Sequence, residues 1–559
     1  MNRSASVLGQ GKHPLVFLVI LAAGAVMSGN AQSSAQRAEK GPAVLKPDAY
    51  RHYVEAFNRL DRETVTNHIS NAASWDWMAK NVPLLDCPDK DLEEIYYFRW
   101  WTYRKHIKQT PDGFIVTEFL PAVPWSGKHN SINCPAGHHF YEGRWLHDPE
   151  YLDNYAVFWF RKGGESRKYS FWAADSIYAR SLVLGDYRLP KELLPDLIAN
   201  YQEWEKSHLD ACGLFWQNDG NDGMEVSIGG SGCRATINSY QYGDALAIAR
   251  IAELNGQPDL ARAWREKATA LKQLVEAKLW DPQAEFFKVL PRGSSTLAGV
   301  RELHGFTPWY FNLPGPEKSV AWKQLMDSKG FFAPFGPTTA EQRNPGFAVA
   351  YSGHECQWNG PSWPYATAVT LTALANLLNN YSQDAVGKTD YWKTFQGYLR
   401  SHRFRQIPPE GQSSGPDLNR SNEGAPRMER LETRQPWIDE NLNPNNGDWI
   451  ARTLLKQRRQ APDERGKDYN HSTFCDLVIT GLIGLRPRAD DTIEVNPLVP
   501  EGTWDYFCLD SVRYHGHAIT ILYDKSGTKY GKGKGLQILV DGRSVGRKDS
   551  LQRFTAKLP

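Results

Sequence analysis

The sequence has almost no net charge. Its 65 Lys and Arg residues are nearly balanced by 63 Asp and Glu residues, which leaves a formal charge of +2 over 559 residues. A protein surface that binds nucleic acid or an acidic membrane needs a concentrated positive field. The charge balance therefore removes the electrostatic argument for either partner.

Long apolar runs are scarce as well. The run Leu15–Val26 is too short to span a bilayer comfortably. Arg3 precedes it, and Gly29 and Ala31 follow with the small-x-small spacing of a cleavage signal. We therefore predict a secretory signal peptide over residues 1–31. The mature protein should then leave the membrane and act in the periplasm or outside the cell.

The sequence also lacks the residue spacings of metal sites. Its seven cysteines show no CxxC pair, leave room for one or two disulfides and include at least one free thiol. His138, His139 and Glu142 share one loop region, but no second ligand cluster accompanies them. The acidic loops could bind Ca²⁺, yet they do not have the ligand order of an EF-hand. We predict no cofactor and no metal.

Aromatic residues, in contrast, are abundant. The 20 Trp, 25 Tyr and 23 Phe residues often stand beside Gly, Pro, Asp or His. Sugar rings present C–H faces that stack on aromatic rings, and their hydroxyls need convergent polar partners. A large core accounts for part of the count. We interpret the remainder as the wall of a carbohydrate site, to which the long loop region Thr117–Leu146 would contribute Trp125, Glu142 and Arg144.

An acidic, glycine-rich loop is the strongest candidate for chemistry. The stretch Trp216–Gly230, WQNDGNDGMEVSIGG, carries Asp219, Asp222 and Glu225 at a spacing of three, but its glycines favour an irregular loop over a helix. Clustered carboxyl groups shift one another's pKa, as acid/base catalysis requires. A solvated acidic turn is the alternative. If the loop is a site, Trp216, Asp219 and Glu225 should contact the substrate.

Helices come in pairs from Tyr169 onward. Phe171–Leu184 is followed by Lys191–His208, Tyr242–Leu254 by Asp259–Leu279, and Ser362–Tyr381 by Lys388–Ser401. The first member of each pair is small or apolar at nearly every position, whereas the second has one apolar stripe and a charged back. This pattern predicts an inner and an outer ring of helices, an α/α toroid. A helix-pair solenoid is the competing architecture.

Short β-like runs replace the helices after residue 486. They are Thr492–Val499, Phe507–Tyr523 and Leu536–Val540. We therefore predict a barrel domain over residues 32–486 and a small β domain over residues 487–559. The β region has no acid cluster, so we expect it to support the barrel. An accessory sugar-binding role is the alternative.

Three more loops precede helices of the barrel. They are Gly353–Ala366 (GHECQWNGPSWPYA), Trp437–Trp449 (WIDENLNPNNGDW) and Tyr469–Leu477 (YNHSTFCDL). Such junctions gather at one end of a toroid, where carboxyl groups from distant segments can face one sugar, as glycoside hydrolysis requires. The candidates for substrate contact in these loops are Glu355, Trp358, Asn359, Trp363, Asn441 and His471.

These motifs resemble those of the six-hairpin (α/α)6-barrel glycosidases. The resemblance spans residues 74–559 and is nearest to the mannosylglycerate-hydrolase-like enzymes and glycoside hydrolase family 63, the processing α-glucosidase I family, with trehalase more distant. It implies a mainly α (α/α)6 toroid with a small C-terminal antiparallel β domain. It also implies a general acid at Asp222 and a general base at Glu440 in ENLNP, with Trp358–Trp363 as a wall of the sugar pocket.

The implied reaction is a single displacement with inversion. Protonated Asp222 would donate to the glycosidic oxygen while ionised Glu440 activates a water. Two alternative assignments stay open: Glu225 could be the acid, and Asp439 could be the base. We expect an exo-acting enzyme, because Trp125, Trp216, Trp358 and Trp363 all lie in loops that could close one end of the pocket.

Two other classes of function remain open at this point. A polysaccharide lyase would act on an acidic sugar and should have a basic cleft. A non-catalytic secreted glycan-binding protein would keep the aromatic residues but has no use for paired acids on separate loops. In each case the partner is an oligosaccharide or polysaccharide, and we expect a monomer.

Overall fold

The computed structural model describes residues 43–405, 432–459 and 465–559. The predicted signal peptide, residues 1–31, lies outside the described residues. Among the helices of these three ranges, none combines the length and apolar character needed to cross a membrane.

The helices of the described part begin and end as follows. They are α1 (Arg51–Leu60), α2 (Ser74–Asn81), α3 (Lys90–His106), α4 (Ala136–Gly143), α5 (Glu150–Arg161), α6 (Ala173–Leu184), α7 (Arg188–His208), α8 (Ala235–Leu254), α9 (Pro258–Lys278), α10 (Thr307–Tyr310), α11 (Pro364–Asn380), α12 (Lys388–Ser401), α13 (Ile450–Arg458) and α14 (Cys475–Leu477). The last continues into a π-helical stretch, Val478–Leu482. Short 3-10 turns lie at Pro47–Tyr50, Lys128–Asn130, Gly220–Asp222, Leu303–Phe306 and Pro316–Gln324.

The predicted helix pairs are confirmed as α6 with α7, α8 with α9, and α11 with α12. Helices α6, α8 and α11 are buried on nearly all sides. In α9 the buried residues are Ala261, Trp264, Ala268, Leu271 and Val275, which recur every three or four positions. That spacing gives one buried stripe and a solvent-facing back, as expected for an outer helix.

The inner helices form a closed ring. α4 contacts α6, α6 contacts α8, α8 contacts α10, and α10 contacts α11; α11 contacts α14, which returns to α4. The outer layer contains α5, α7, α9 and α12. Helix α3, in which every residue from Ile95 to His106 is buried, contacts both α12 and α14. Because the ring closes, the fold is the (α/α)6 toroid and not an open solenoid.

The strands of the described part are mostly short. They are β1 (Leu84–Asp86), β2 (Ile107–Thr110), β3 (Gly113–Val116), β4 (Trp216–Gln217), β5 (Gly232–Cys233), β6 (Trp280–Asp281), β7 (Phe286–Phe287), β8 (Arg403–Arg405), β9 (Glu432–Pro436), β10 (Leu485–Arg486), β11 (Thr492–Val495), β12 (Tyr506–Tyr514), β13 (His517–Asp524), β14 (Gly535–Val540), β15 (Arg543–Lys548) and β16 (Phe554–Lys557).

The C-terminal strands form two antiparallel sheets. One has the order β1-β12-β13-β14-β15 and the other β10-β11-β16. Leu84 of β1 pairs with Asp510 of β12, so a strand from the N-terminal part completes the larger sheet. The backbone N–H of His515 donates to the carbonyl of Val183 in α6 at 3.0 Å. The β region thus packs against an inner helix of the barrel.

Candidate active site

One cavity is lined mainly by residues of the loops that precede the inner helices. Its volume is about 210 Å³, far above the ~10–15 Å³ that a single water needs. Its wall is formed by Glu118, Phe119, Trp125, Ile132, Cys134, Tyr169, Gly223, Glu225, His354, Glu355, Cys356, Trp358, Trp363, Tyr365, Glu440, Arg465, Tyr469 and His471. Tyr365 lies at the start of α11, and the other residues come from segments before α4, α6, α8, α11, α13 and α14, as the arrangement of junctions predicts.

Glu225 reaches the cavity from the acidic loop. Gly223 turns the chain with φ of 71°, and a Cβ at this position would lie 2.6 Å from the Cys134 Sγ, so only glycine fits. The Glu225 carbonyl accepts from the Trp358 N–H at 3.1 Å and ties this loop to the next one. Burial raises the pKa of Glu225 to about 7, and the nearby charge of Glu440 adds to the effect.

Glu440 enters the same cavity from the loop before α13. The Arg465 guanidinium lies 3.7 Å from its Oε1, and the Cys356 thiol donates to Oε2 at 3.4 Å. Burial raises the pKa of Glu440 to about 7, and Arg465 opposes that rise. His471 donates from Nε2 to the Glu440 backbone carbonyl at 3.2 Å. The carboxyl group is therefore held in place and faces one cation.

Glu355 also lines the cavity, but its carboxylate is occupied. It accepts from Arg465 at 3.0 Å and from Arg458 at 3.3 Å. Burial alone would raise its pKa, but hydrogen bonding and the charge of Arg465 hold that pKa below its usual range. We therefore expect Glu355 to stay ionised and to position Arg465 beside Glu440.

Stacked indoles form part of the wall. The rings of Trp358 and Trp363 lie 4.6 Å apart at an interplanar angle of 14°. The Trp363 indole N–H donates to the Gln357 carbonyl at 2.7 Å, which fixes the orientation of the ring. Trp125 is 37% exposed, and the Arg465 guanidinium lies 4.9 Å from its ring centroid. These rings supply the flat apolar surface that a sugar face can cover.

Asp222 does not reach the cavity. Its side chain is fully buried, and its Oδ2 accepts from Arg234 Nε at 2.7 Å and from the Thr236 hydroxyl. Both partners stand at the start of α8, so this carboxylate anchors the acidic loop to the inner helix. Asp222 Oδ1 has no hydrogen-bond partner among the described residues, while Glu225, three residues later, lines the cavity.

Asp439 is likewise turned away from the cavity. Its Oδ2 pairs with Arg452 and accepts from the Trp437 indole at 3.3 Å. The side chain is buried in this ion pair. The open alternative of Asp439 as general base therefore has no support in the geometry.

Glu142 and Arg144 hold the last inner helix. The Glu142 carboxylate accepts from the backbone N–H groups of Phe474, Cys475 and Asp476 at 2.8–3.1 Å, and Arg144 pairs with Asp476 at 2.7 Å. The carboxylate thus satisfies donors at the start of α14 that would otherwise be unpaired. Both side chains are buried, and neither is among the residues that line the cavity.

The remaining predicted contacts lie near the cavity without lining it. Trp216 stacks on His208 at 5.0 Å. Asp219 accepts from the Ser231 hydroxyl at 3.1 Å. The Asn359 carbonyl accepts from the Ala348 N–H at 3.0 Å. Asn441 donates from its side chain to the Glu355 carbonyl at 2.8 Å. None of these four residues is among those that line the cavity, and their contact with substrate stays a prediction.

Among the residues that the structure describes, no group of three His, Cys, Asp or Glu could hold a metal ion. The imidazole of His139 faces the Tyr155 hydroxyl at 3.0 Å and the Asn470 carbonyl at 2.7 Å. His138 lies against the Tyr365 ring, with 4.5 Å between the centroids. The histidine pair of the long loop region is thus part of the core.

Sequence reasoning missed Glu118, Arg465 and Tyr469 as cavity residues. Glu118 lies in the aromatic loop region already noted, where a carboxyl next to Phe119 was a usable signal. Arg465 lies in a charged stretch whose simplest interpretation is a solvated turn. Its contact with Glu440 depends on tertiary structure, which no local pattern shows.

Comparisons with known proteins agree with this fold. The mannosylglycerate hydrolase MGH1-like glycoside hydrolase domain matches residues 128–472, and the glycosyl hydrolase family 65 C-terminal domain matches residues 485–546. A solved structure described as a sialidase is 43% identical with a TM-score of 0.82, and the match covers 92% of this chain and 45% of that chain. This chain thus spans less than half the length of that protein.

More distant structures share the fold. The GH78 family rhamnosidase of Bacillus sp. GL1 is 11% identical with a TM-score of 0.53, and the match covers 82% of this chain and 41% of that one. The first family match covers more than half of the chain. This chain therefore belongs to the MGH1-like glycoside hydrolases, a family named after mannosylglycerate hydrolase.

Proposed function

We propose that the protein is an exo-acting, inverting glycoside hydrolase that removes a terminal neutral sugar, with Glu225 as general acid and Glu440 as general base. The observation that carries this proposal is that these two carboxyl groups, from separate loops, line one cavity beside stacked indoles. A single displacement needs one protonated and one ionised carboxyl group on either side of the scissile bond.

The surroundings of the two glutamates support these roles. Arg465 lies 3.7 Å from Glu440 and favours its ionised form, as a base requires. Within the described ranges, Glu225 has no ion-pair partner, and burial favours its protonated form, as an acid requires. Both pKa values are raised to about 7 and the groups interact, so the pair should hold one proton near neutral pH.

The charge of the cavity favours a neutral sugar. Four glutamates line the cavity. The Arg465 guanidinium, which also lines it, already lies beside Glu355 and Glu440. An acidic sugar would bring a further negative charge to this wall, and a lyase acting on such a sugar would need a basic cleft. This chain matches 45% of the length of the protein described as a sialidase, so that description carries no substrate over to this chain.

Unpaired polar atoms on the wall suit sugar hydroxyls. Glu440 Oε1, His471 Nδ1 and the Trp358 indole nitrogen are buried without a hydrogen-bond partner in the part of the chain that the structure describes. Buried polar groups in native proteins are normally paired. Three such atoms in one small cavity support a ligand with several hydroxyl groups, and the compact volume supports entry of a single terminal ring.

The test is hydrolysis by purified protein of aryl glycosides and oligosaccharides that end in neutral sugars. We expect turnover of at least one such substrate, with losses of ~10²-fold or more in Glu225→Gln and Glu440→Gln. Asp219→Asn is the matched control, because it changes a carboxyl of the same loop that neither lines the cavity nor belongs to the buried pair with Arg234. Near wild-type turnover in both glutamine variants would overturn the assignment.

We further propose that the protein is secreted and acts as a monomer. The predicted signal peptide supports secretion, and fractionation of the producing cells tests it. Size-exclusion chromatography with light scattering tests the monomer. Finding the uncleaved chain in the cytoplasm, or a stable dimer, would contradict the respective statement.

A further inference from the structure

A third carboxyl group lies in the cavity and has no role in the reaction as proposed. Glu118 follows β3 and lines the wall, with 7% of its surface exposed. We propose that Glu118 binds a hydroxyl group of the terminal sugar through a neutral carboxyl group positioned by Tyr469, and takes no part in proton transfer. This proposal rests on the proposed hydrolase function and assigns a substrate-positioning residue within it.

Contacts on one side fix the orientation of Glu118. The Tyr469 hydroxyl donates to its Oε1 at 2.5 Å, and the Asn470 backbone N–H donates to its carbonyl at 3.1 Å. Asn470 also donates from its side chain to the Thr117 carbonyl at 3.3 Å. Within the described residues, Oε2 accepts no hydrogen bond from the protein. One oxygen is therefore held by tyrosine, and the other is available to a ligand.

Burial and the charges of Glu440 and Glu225 disfavour ionisation of Glu118, and the hydrogen bond from Tyr469 opposes part of this effect. The groups that interact with Glu118 are Tyr469, Tyr155, Tyr169, Cys134, Glu225 and Glu440, and none of them is a cation. His471 packs on Tyr469, with ring centroids 4.1 Å apart, and burial holds its pKa well below the usual range, so it is neutral too. Burial raises the pKa of Glu118 to about 8.

A protonated carboxyl group suits a sugar hydroxyl. It offers one O–H donor and retains acceptor capacity, while a hydroxyl group can both donate and accept. A residue that transfers a proton must change its charge during turnover, and a carboxamide cannot do so. A residue that binds in its neutral form can be replaced by the isosteric, neutral carboxamide of Gln. Glu118→Gln should therefore lower kcat strongly if Glu118 transfers a proton, and should largely keep kcat if Glu118 binds in its neutral form.

The experiment compares Glu118→Gln, Glu118→Ala and Tyr469→Phe with Glu225→Gln on one substrate that the wild-type protein hydrolyses. We expect Glu118→Gln to keep kcat within ~3-fold and Glu118→Ala to raise KM by ~10-fold or more, because a hydrogen bond inside the cavity is lost. Tyr469→Phe should raise KM and largely keep kcat.

A loss of kcat in Glu118→Gln as large as that in Glu225→Gln would overturn the proposal, while the hydrolase function would stand. If Glu118→Ala does not fold, the other two variants test the proposal: Glu118→Gln should keep kcat, and Tyr469→Phe should raise KM while it largely keeps kcat. An unchanged KM in Tyr469→Phe together with an unchanged KM in Glu118→Ala would also overturn it. Full activity in Glu225→Gln and Glu440→Gln would instead refute the catalytic pair.

A different observation carries a second proposal. The Sγ atoms of Cys212 and Cys233 lie 3.8 Å apart, one on each side of the loop that carries Glu225. Cys233 is in β5 and pairs with Trp216 of β4, so the two cysteines stand at the base of that loop. Cys212 is partly exposed, so an oxidant can reach it.

We propose that these two thiols form a disulfide in an oxidising compartment. Each thiol gives up its proton, one S–S bond forms, and two electrons pass to the disulfide of a thiol oxidoreductase, which is reduced to its dithiol. Closing the loop restricts the unfolded chain, so the oxidised protein should have a Tm a few degrees above that of the reduced protein.

The test is alkylation of the unfolded full-length protein without reduction, followed by peptide mass spectrometry, after oxidative and reductive preparation. We expect a peptide that joins residues 212 and 233 and has lost two hydrogens in the oxidised sample, and alkylation of both cysteines in the reduced one. Cys212→Ser should leave Cys233 alkylated and remove the shift in Tm. Alkylation of both cysteines after oxidation would overturn the proposal.

Discussion

Replacement of Arg465 by Gln should move the acidic limb of the pH profile of kcat/KM upward. The guanidinium lies 3.7 Å from Glu440 Oε1. Two unit charges at that distance interact by about 1 kcal/mol in water and about 4.5 kcal/mol at an effective dielectric constant of 20. Since one pKa unit corresponds to about 1.4 kcal/mol, loss of the guanidinium should raise the pKa of Glu440 by about 1–3 units.

The direction of the effect follows from the role of Glu440 as base. Arg465 favours the carboxylate, so without it Glu440 keeps its proton to higher pH and the active fraction shrinks. The pKa of Glu440 is raised to about 7 with Arg465 present. At pH 6 the rate of Arg465→Gln should therefore fall by ~10-fold or more, in addition to any loss that does not depend on pH.

Arg458 provides the matched control. It contacts the Glu355 carboxylate at 3.3 Å and the Gly353 carbonyl, so it shares one partner with Arg465. Arg458→Gln should leave the acidic limb in place because this guanidinium makes no ion pair with Glu440. The assay is kcat/KM from pH 4 to 9 for all three proteins. The predicted effect of Arg465 on Glu440 is contradicted if the acidic limb of the pH profile of Arg465→Gln coincides with that of the wild type. It is also contradicted if Arg465→Gln and Arg458→Gln shift that limb equally.

Three further predictions concern the acidic loop and the aromatic wall. Asp222→Asn should lower the free energy of unfolding by about 3–5 kcal/mol, because it removes the charged partner of the buried Arg234; denaturant titration measures this, and an unchanged midpoint would contradict it. Glu225→Gln should cost more activity on poor leaving groups than on activated aryl glycosides, and an equal loss on both would exclude its role as acid. Trp358→Ala should raise KM by ~2–10-fold through loss of the stack with Trp363, with a smaller change in kcat, and an unchanged KM would place the sugar elsewhere.

The helices could be predicted from sequence where periodicity and length support each other. α8 and α9 each span about 20 residues, and their burial patterns differ as their compositions do. The inner helix α10, Thr307–Tyr310, has too few residues for any period to appear. β1 pairs with β12 across more than 400 residues of chain, and three residues carry no signal for such a partner.

The candidate site could be predicted at the level of loops and not of single carboxyl groups. Trp358, Trp363 and Glu440 line the cavity, because their loops precede barrel helices. The choice between Asp222 and Glu225 depends on the left-handed turn at Gly223 and on Arg234, a partner twelve residues away. An acidic spacing of three on an irregular loop contains neither fact, so the resemblance implies Asp222 where the geometry favours Glu225.

The stereochemistry of the first-formed sugar tests the central claim most directly. If Glu225 donates a proton while Glu440 activates a water, the water attacks from the face opposite the leaving group, and the anomeric configuration inverts in one step. Proton NMR during the first turnovers on a reactive glycoside shows which anomer appears before mutarotation. We predict the inverted anomer in the wild-type protein, and a first product with retained configuration would contradict the single displacement and the roles assigned to both glutamates.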